Sequence, residues 1–256
     1  MMGFLKTLRE LCFPPRCVGC GQRLEPTLKN GQAPYFCKQC GERWQKRLMA
    51  QCPQCNAAFC ECNCQPAILK KAGSAGLVKA APYDTERADD PMVYAVRSLK
   101  QHPRARALEC LAKELLPILE KRLAELNEKT PISHTVIAYI PRARHKIRRY
   151  GFDQARELAG ELSRLSGLPL MPLLKRSREA KEQKGLTQKE RQENLKGAFS
   201  LNTPATGSRV VLVDDVVTTG AGMAEATRLL RRGGAKQVLC LCAALTPKRR
   251  GNRRST

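Results

Sequence analysis

The run Val210-Val211-Leu212-Val213, followed at once by Asp214 and Asp215, constrains this chain more than any other stretch. Four consecutive aliphatic residues predict a strand buried on both faces, which belongs in a parallel sheet flanked by helices. Two carboxylates stand at its end. Val216-Val217-Thr218-Thr219-Gly220-Ala221-Gly222 then leads into a helical pattern over residues 223–232. A strand, a small-residue turn and a helix start in series present backbone amides and the positive end of a helix dipole to an anion. Thr218 and Thr219 add hydroxyl donors, and Gly220, Ala221 and Gly222 let the backbone approach closely. Two like charges about 4 Å apart repel by roughly 1 kcal/mol in water and about 4 kcal/mol at an intermediate dielectric. A sugar diol or a cation between them relieves that repulsion. The residues therefore predict a ribose 5-phosphate site, with the acids on the hydroxyls and the turn on the phosphate. Helix capping, the simpler reading, requires fewer polar groups than this run supplies.

Lys and Arg number 46 against 23 Asp and Glu, a formal net charge of +23. That balance fits polyanionic partners such as nucleic acid, acidic lipid headgroups or a pyrophosphate, and it does not select a fold. No apolar run reaches the ~20 residues of a membrane span. Residues 1–11 carry Lys6, Arg9 and Glu10 and lack the apolar core of a secretion signal. They read as a short amphipathic helix, and the expected location is the cytoplasm.

Ten of the thirteen cysteines lie between Cys12 and Cys64. Such clustering in a chain without a secretion signal predicts metal rather than disulfides. Cys17-x-x-Cys20 and Cys37-x-x-Cys40 have sixteen residues between them, the spacing of a zinc ribbon. Four thiolates at that spacing hold one zinc tetrahedrally. Cys52-Pro53-Gln54-Cys55 is a third knuckle. Its partner is irregular, because Cys60-Glu61-Cys62-Asn63-Cys64 offers three thiols. A second zinc would take Cys52, Cys55 and two of these three; Cys60 and Cys64 are the pair assigned here. Interleaved ligation between neighbouring pairs also fits the spacing. Cys12 reads as packing, and Gly21 and Gly41 follow their knuckles where tight turns are expected. With few large apolar residues in this region, structural zinc, one ion or two, is expected to supply much of its folding free energy.

Residues 66–76 read as a linker, followed by a short apolar stretch and then a helix opening at Asp89-Asp90-Pro91. Leu108, Leu111, Leu115, Leu119 and Leu123 line one face of a long helix, which Pro117 is expected to kink. Residues 135–140 form a second buried strand. It runs into a loop in which six of nine residues, including Arg142 and Arg144, are basic or can become so. The C-terminal ends of strands are where α/β sheets bind ligands, so this loop suits a pyrophosphate. A solvated basic loop or a nucleic-acid patch is the competing reading, and His145 reads as a surface imidazole. Asp153 caps the next helix and Gly167 stops it; residues 170–174 suggest a short strand. Residues 175–198 are highly charged and nearly devoid of large apolar side chains, which fits either a lid over a ligand or a solvated segment. Residues 237–245 form a third buried strand, and the tail carries five basic residues and no acid.

The 210–222 stretch closely resembles the 5-phosphoribosyl-1-pyrophosphate (PRPP) motif of type I phosphoribosyltransferases, differing in Gly222, where many relatives place a threonine. Several further stretches extend the likeness. They are the cysteine knuckles, Tyr94-Ala95-Val96-Arg97-Ser98-Leu99-Lys100, Arg149-Tyr150-Gly151-Phe152-Asp153-Gln154-Ala155, and Leu186-Thr187-Gln188 with Arg191 and Asn194. Together they resemble the ComF family over nearly the full length. The resemblance implies an α/β fold: a parallel-sheet type I phosphoribosyltransferase-like domain over 67–247. It adds a small cysteine-rich zinc-ribbon module with a short N-terminal helix over 1–66, and a basic disordered tail over 248–256. It implies PRPP bound with magnesium, Asp214 and Asp215 on the ribose hydroxyls, and residues 218–222 on the 5-phosphate. Arg142 and Arg144 would meet the pyrophosphate. The implied activity is that of a glycosyltransferase with an unknown acceptor, linked to DNA uptake in competence or to nucleotide metabolism. Single-stranded DNA and competence-machinery proteins are the implied partners. The alternative is a non-catalytic single-stranded nucleic-acid adaptor that uses the zinc module and the basic surface.

Overall fold

A computed structural model of the chain describes residues 14–25, 34–87, 89–99, 105–177 and 197–247. The expected N-terminal helix, Cys12, most of the charged 175–198 insertion and the tail lie outside the described residues. In chain order the elements are α1 (Lys38–Leu48), α2 (Ala67–Lys71), β1 (Gly76–Pro82), α3 (Pro91–Leu99), α4 (Ala105–Lys129), β2 (Thr135–Tyr139) and α5 (Arg144–Tyr150). They continue with α6 (Gln154–Ser166), β3 (Leu174–Arg176), β4 (Phe199–Leu201), β5 (Arg209–Val217), α7 (Ala221–Arg232) and β6 (Gln237–Leu245).

The three aliphatic runs form the strands expected of them. Among the described residues they join β1 in a four-stranded sheet in the order β1-β6-β5-β2, with every neighbouring pair parallel. Leu170 adds a parallel bridge to Ile137 beyond β2, so the apolar residues after α6 touch the sheet before entering β3. β3 pairs antiparallel with β4, and this ribbon joins the two ends of the charged insertion.

Alternation along the strands sorts the side chains into two layers. Val211 and Val213 join Ile137, Leu239 and Leu241 in an apolar cluster with α3, α4 and α6. Val210 and Leu212 join Val136, Val238, Cys240 and Cys242 in a second cluster with α7 and with Leu69 of α2. Helix α4 buries Leu108, Leu111, Leu115 and Leu119 and runs through Pro117. The proline forgoes one backbone hydrogen bond without ending the helix. Asp153 caps α6 by accepting from the amides of Ala155 and Arg156, and Gly167 closes it at φ 73°.

One expectation fails here. Residues 66–76 are not a linker: they contain α2, whose Leu69 is fully buried. The apolar stretch after them is β1, an edge strand with all seven residues buried. The reason is that the cysteine-rich segment wraps this edge. Val18 and Trp44 belong to the apolar cluster on one face of the sheet, and Cys52, Phe59 and Cys62 to the cluster on the other. Trp44 stacks on Phe36 at 4.6 Å between centroids and donates from Nε1 to Glu114 on α4 at 3.0 Å. Arg47 pairs with buried Asp90 at 2.7 Å and donates to the Pro82 carbonyl at 2.7 Å. Lys79 of β1 is fully buried. Its ammonium donates to the carbonyls of Cys62 at 2.8 Å and Cys64 at 3.0 Å and lies over the Phe59 ring. A strand edge exposed to water invites pairing with other chains; here the cysteine-rich segment covers it.

Arg209, at the start of β5, is likewise buried, and burial lowers its pKa. It donates from Nε to Gln237 at 2.7 Å, from one terminal nitrogen to Asn127 and from the other to the Thr130 carbonyl at 3.0 Å. These bonds tie the sheet to the end of α4. Arg209→Met fills much of the volume but removes the hydrogen bonds to Gln237, Asn127 and Thr130, whose acceptors lie on half-buried or exposed residues and can turn to water. It is expected to cost about 2 kcal/mol of stability, since a hydrogen bond to a charged group contributes roughly 1.5–3 kcal/mol and water replaces part of what is lost. Urea unfolding checks this, and an unchanged midpoint would contradict it.

Candidate functional site

Strands β5 and β2 are neighbours whose following helices take opposite faces of the sheet. α7 packs with the cluster around Val210 and Leu212, and α6 with the cluster around Val211 and Val213. A crevice opens at such a switch point beyond the strands' C-terminal ends, and α/β sheets bind ligands there. The last β2–β5 pair is Tyr139 with Val213, followed by one hydrogen bond from the Ile140 amide to the Val213 carbonyl. Past that point the two chains separate. β5 continues through Asp214, Asp215 and Val216, all half-buried, to Val217.

The acids thus lie within the strand rather than after it, and alternation places them on opposite faces. Each carboxylate accepts from the next backbone amide: Asp214 from that of Asp215 at 2.9 Å, Asp215 from that of Val216 at 2.8 Å. Asp214 lies on the α7 side, opposite Cys242 in register. Its charge adds to complete burial in pushing the Cys242 and Cys240 thiols up. Asp215 lies on the α6 side and acts electrostatically on Arg142.

Arg142 is held from three directions. Its amide donates to Asp153 at 2.7 Å, its guanidinium donates to the Phe152 carbonyl at 3.1 Å, and the same group lies over the Tyr150 ring at 4.7 Å. Burial lowers its pKa, while Asp153, Asp215 and Tyr150 oppose that. An arginine stays charged through shifts of this kind. Asp153, itself raised by burial, therefore does more than cap α6: it fixes the backbone that presents Arg142. Arg144 is exposed at the first position of α5. The expected basic loop is in fact this short helix, with no buried residue; its lack of an apolar face hid it from the sequence.

Thr218 is exposed and Thr219 half-buried, and Thr219 Oγ1 accepts from the Ala221 amide at 3.4 Å. Gly220, the N-cap of α7, is left-handed at φ 79° and has no side chain with which to cap it. The first turn of α7 therefore carries its amide dipoles beside the two acids, with Gly222 half-buried at its start. The structure brings Asp214, Asp215, residues 218–222 and Arg142 to one end of the sheet. The geometry suits a ligand with a phosphate at one end and hydroxyls between. Two carboxylates are also hard oxygen donors of the kind magnesium takes.

The cysteines resolve into two groups of four. The sulfurs of Cys17, Cys20, Cys37 and Cys40 lie within 4.8 Å of one another, and so do those of Cys52, Cys55, Cys62 and Cys64. Four thiols at that separation fit a tetrahedral zinc. Cys60, assigned to the second group from the sequence, is outside it, and Cys62 takes its place. Glu61 and Cys62 both donate to the Ala58 carbonyl, at 3.0 Å each, and this turn carries Cys60 past the group. Burial pushes the Cys52 thiol up, but the Gln54 and Cys55 amides and neighbouring thiols draw it down to about 7. The Cys17 thiol is likewise lowered, against burial, by the amides of Cys37, Gly19 and Cys20. Antiparallel bridges close the first and third knuckles, Arg16 with Arg23 and Gln51 with Ala58. Gly21 is left-handed at φ 77°, and a Cβ there would meet the Tyr94 hydroxyl of α3 at 2.0 Å. Gly41, expected in a turn, lies in α1, which begins just after Cys37.

Sequence reasoning missed the support roles of Lys79, Asp153 and residues 66–69. A lysine inside an otherwise apolar run was the one available signal.

Comparison with known proteins adds relatives. The family model described as phosphoribosyl transferase domain matches residues 147–256. DNA utilization protein YhgH of Salmonella typhi is 32% identical over 82% of this chain and 91% of its own length. Competence protein F of Haemophilus influenzae is 42% identical over 35% of this chain and 41% of its own. Competence protein ComFC of Bacillus subtilis is 35% identical over 42% and 43%. Among the described residues no helix is long and apolar enough to cross a membrane.

Proposed function

The chain belongs to the ComF family, and from that premise we propose that its α/β domain binds the phosphorylated pentose of PRPP at the end of β5 and transfers it. The observation that carries this reading is the junction of β5 and α7. Two acids on alternate faces of the strand lead directly into a left-handed glycine that has no side chain to cap the helix start, where Thr219 Oγ1 takes the Ala221 amide at 3.4 Å.

In this reading the amides of residues 219–222 and the Thr218 and Thr219 hydroxyls hold the 5-phosphate. Asp214 and Asp215 accept from the ribose hydroxyls. Arg142 meets the pyrophosphate, and Arg144, exposed at the start of α5, approaches it from solvent. Asp214 and Asp215 are the residues that would hold magnesium, which would supply neutralising charge to the leaving pyrophosphate. The bond from the anomeric carbon to the pyrophosphate oxygen breaks, and its electron pair leaves on that oxygen. A nucleophilic atom of the acceptor forms the new bond and gives its proton to solvent. Such a reaction needs positioning and charge neutralisation more than a side-chain nucleophile. The names of relatives, DNA utilization protein and competence protein, support a link of this activity to DNA utilization and competence.

A single-stranded nucleic-acid adaptor is the second reading. It is favoured by α5, whose seven residues include Arg144, His145, Lys146, Arg148 and Arg149 and bury none. Backbone phosphates are the natural partners of such a surface.

Calorimetry with PRPP and magnesium tests the first reading; saturable heat is expected, and no heat would remove it. Pyrophosphate release across a panel of acceptors then identifies the reaction. For the adaptor, a single-strand titration at two salt concentrations is expected to show affinity falling steeply as salt rises. Absence of binding at low salt excludes that reading.

A further inference from the structure

Gly220, the residue on which the phosphate turn pivots, is backed by α2. A Cβ at Gly220 would lie 3.3 Å from Ile68 Cγ2, 3.4 Å from Leu69 Cγ and 3.5 Å from Pro66 Cβ. The turn therefore rests close against α2: an added methyl would press on Ile68 and meet Leu69 and Pro66 at contact distance. Ala221 and Met223, the next inward residues of α7, share an apolar cluster with Leu69, Phe59, Cys52 and Cys62.

Helix α2 has little to fix it by itself. It has five residues, no side-chain cap, and one buried side chain, Leu69. A helix this short is not stable alone, and its position comes from what lies at its ends. At its N-terminal end, one residue separates Pro66 from Cys64 of the second cysteine group. The carbonyls of Cys62 and Cys64 are in turn gripped by the buried Lys79 ammonium, at 2.8 and 3.0 Å. Four thiolates on one zinc leave a net negative centre, which a buried lysine beside it balances. Among the described residues the first cysteine group has no such path to the turn. Its module's Val18 and Trp44 pack on the opposite face of the sheet.

We infer that the second cysteine group, when it holds its metal, sets the shape of the phosphate turn through residues 66–69. Ile68, Leu69 and Pro66 are thus positioning residues for the ligand site. None of them belongs to the expected set of ligand contacts. The consequence for affinity rests on the pentose reading; the mechanical coupling does not.

The test has two arms. In the first, amide hydrogen exchange is measured at residues 219–224 and, as an internal reference, in the first turn of α6. The samples are the zinc-loaded chain, its Ile68→Ala variant and its Cys55→Ser variant. Exchange at 219–224 is expected to rise about tenfold relative to the reference in both variants, a local opening rather than a global one. Ile68→Val, which keeps the methyl nearest Gly220, is expected to restore protection. Equal acceleration at both places, or none, overturns the coupling. In the second arm ribose 5-phosphate is titrated calorimetrically. Ile68→Ala is expected to bind about tenfold more weakly, the lower range for loss of a supporting contact, with Ile68→Val near wild type. Unchanged affinity in Ile68→Ala would overturn the inference. Failure of the unmodified chain to bind ribose 5-phosphate would overturn the pentose reading instead, while the exchange arm still decides the coupling.

Discussion

Replacing Asp214 and Asp215 together by asparagine is expected to weaken PRPP binding in the presence of magnesium by at least about a hundredfold. Hydrogen bonds to charged groups contribute roughly 1.5–3 kcal/mol each, so losing two charges removes about 3–6 kcal/mol. The variant should remain folded. Asparagine keeps the shape, and its side-chain oxygen can still accept from the next amide, as both aspartates do now. The thermal midpoint is therefore expected to hold or rise slightly as like charges are removed. The single variants should differ in kind. Asp215→Asn also takes away a charge that acts on Arg142, so it disturbs the pyrophosphate side as well. Calorimetric titration of the double variant beside the parent chain checks this, and equal affinity would contradict the assignment of the acids.

The second large effect concerns metal. Stripping zinc from both cysteine groups with a chelator, a larger loss than the single ligand removed in Cys55→Ser, is expected to destabilise the whole chain in one cooperative transition, not the cysteine-rich segment alone. Structural zinc in small modules contributes on the order of 10–16 kcal/mol, whereas a typical domain's entire stability is about 5–15 kcal/mol. Here the segment's Trp44 and Phe59 are built into the two apolar layers of the sheet. Losing it would bare β1, an edge strand buried along its length, and aggregation on heating should follow. Zinc re-addition before heating is expected to restore the parent melting curve. Two separate transitions, with the α/β domain's own unchanged, would show the segment to be an independent unit.

These two predictions draw on parts of the chain that were unequally legible. Strands β2, β5 and β6 could be read directly, because a strand buried on both faces must be aliphatic throughout. The acid pair and the turn after it were equally plain, since their side chains have no structural use in that number. β1 was obscured by Lys79 and by Pro82 at its end, residues tolerated there because the lysine finds carbonyl partners and the strand lies at an edge. Helix α2 was hidden for a related reason: five residues carry no periodicity, and tertiary contacts with Gly220 and Leu69's burial define it. The choice of Cys62 over Cys60 was set by a turn around the Ala58 carbonyl, which spacing alone does not encode. Asp153 was visible as a cap, but its grip on the Arg142 amide spans eleven residues and depends on how β2 and α6 meet.

The central claim is that the end of β5 and the turn after it receive a phosphorylated pentose. Backbone amide chemical-shift mapping with ribose 5-phosphate addresses it without requiring an acceptor or turnover. Saturable shifts confined to residues 214–223 and the Arg142 amide are the predicted result. Saturation with those amides unmoved, or shifts gathered on α5 instead, would contradict it.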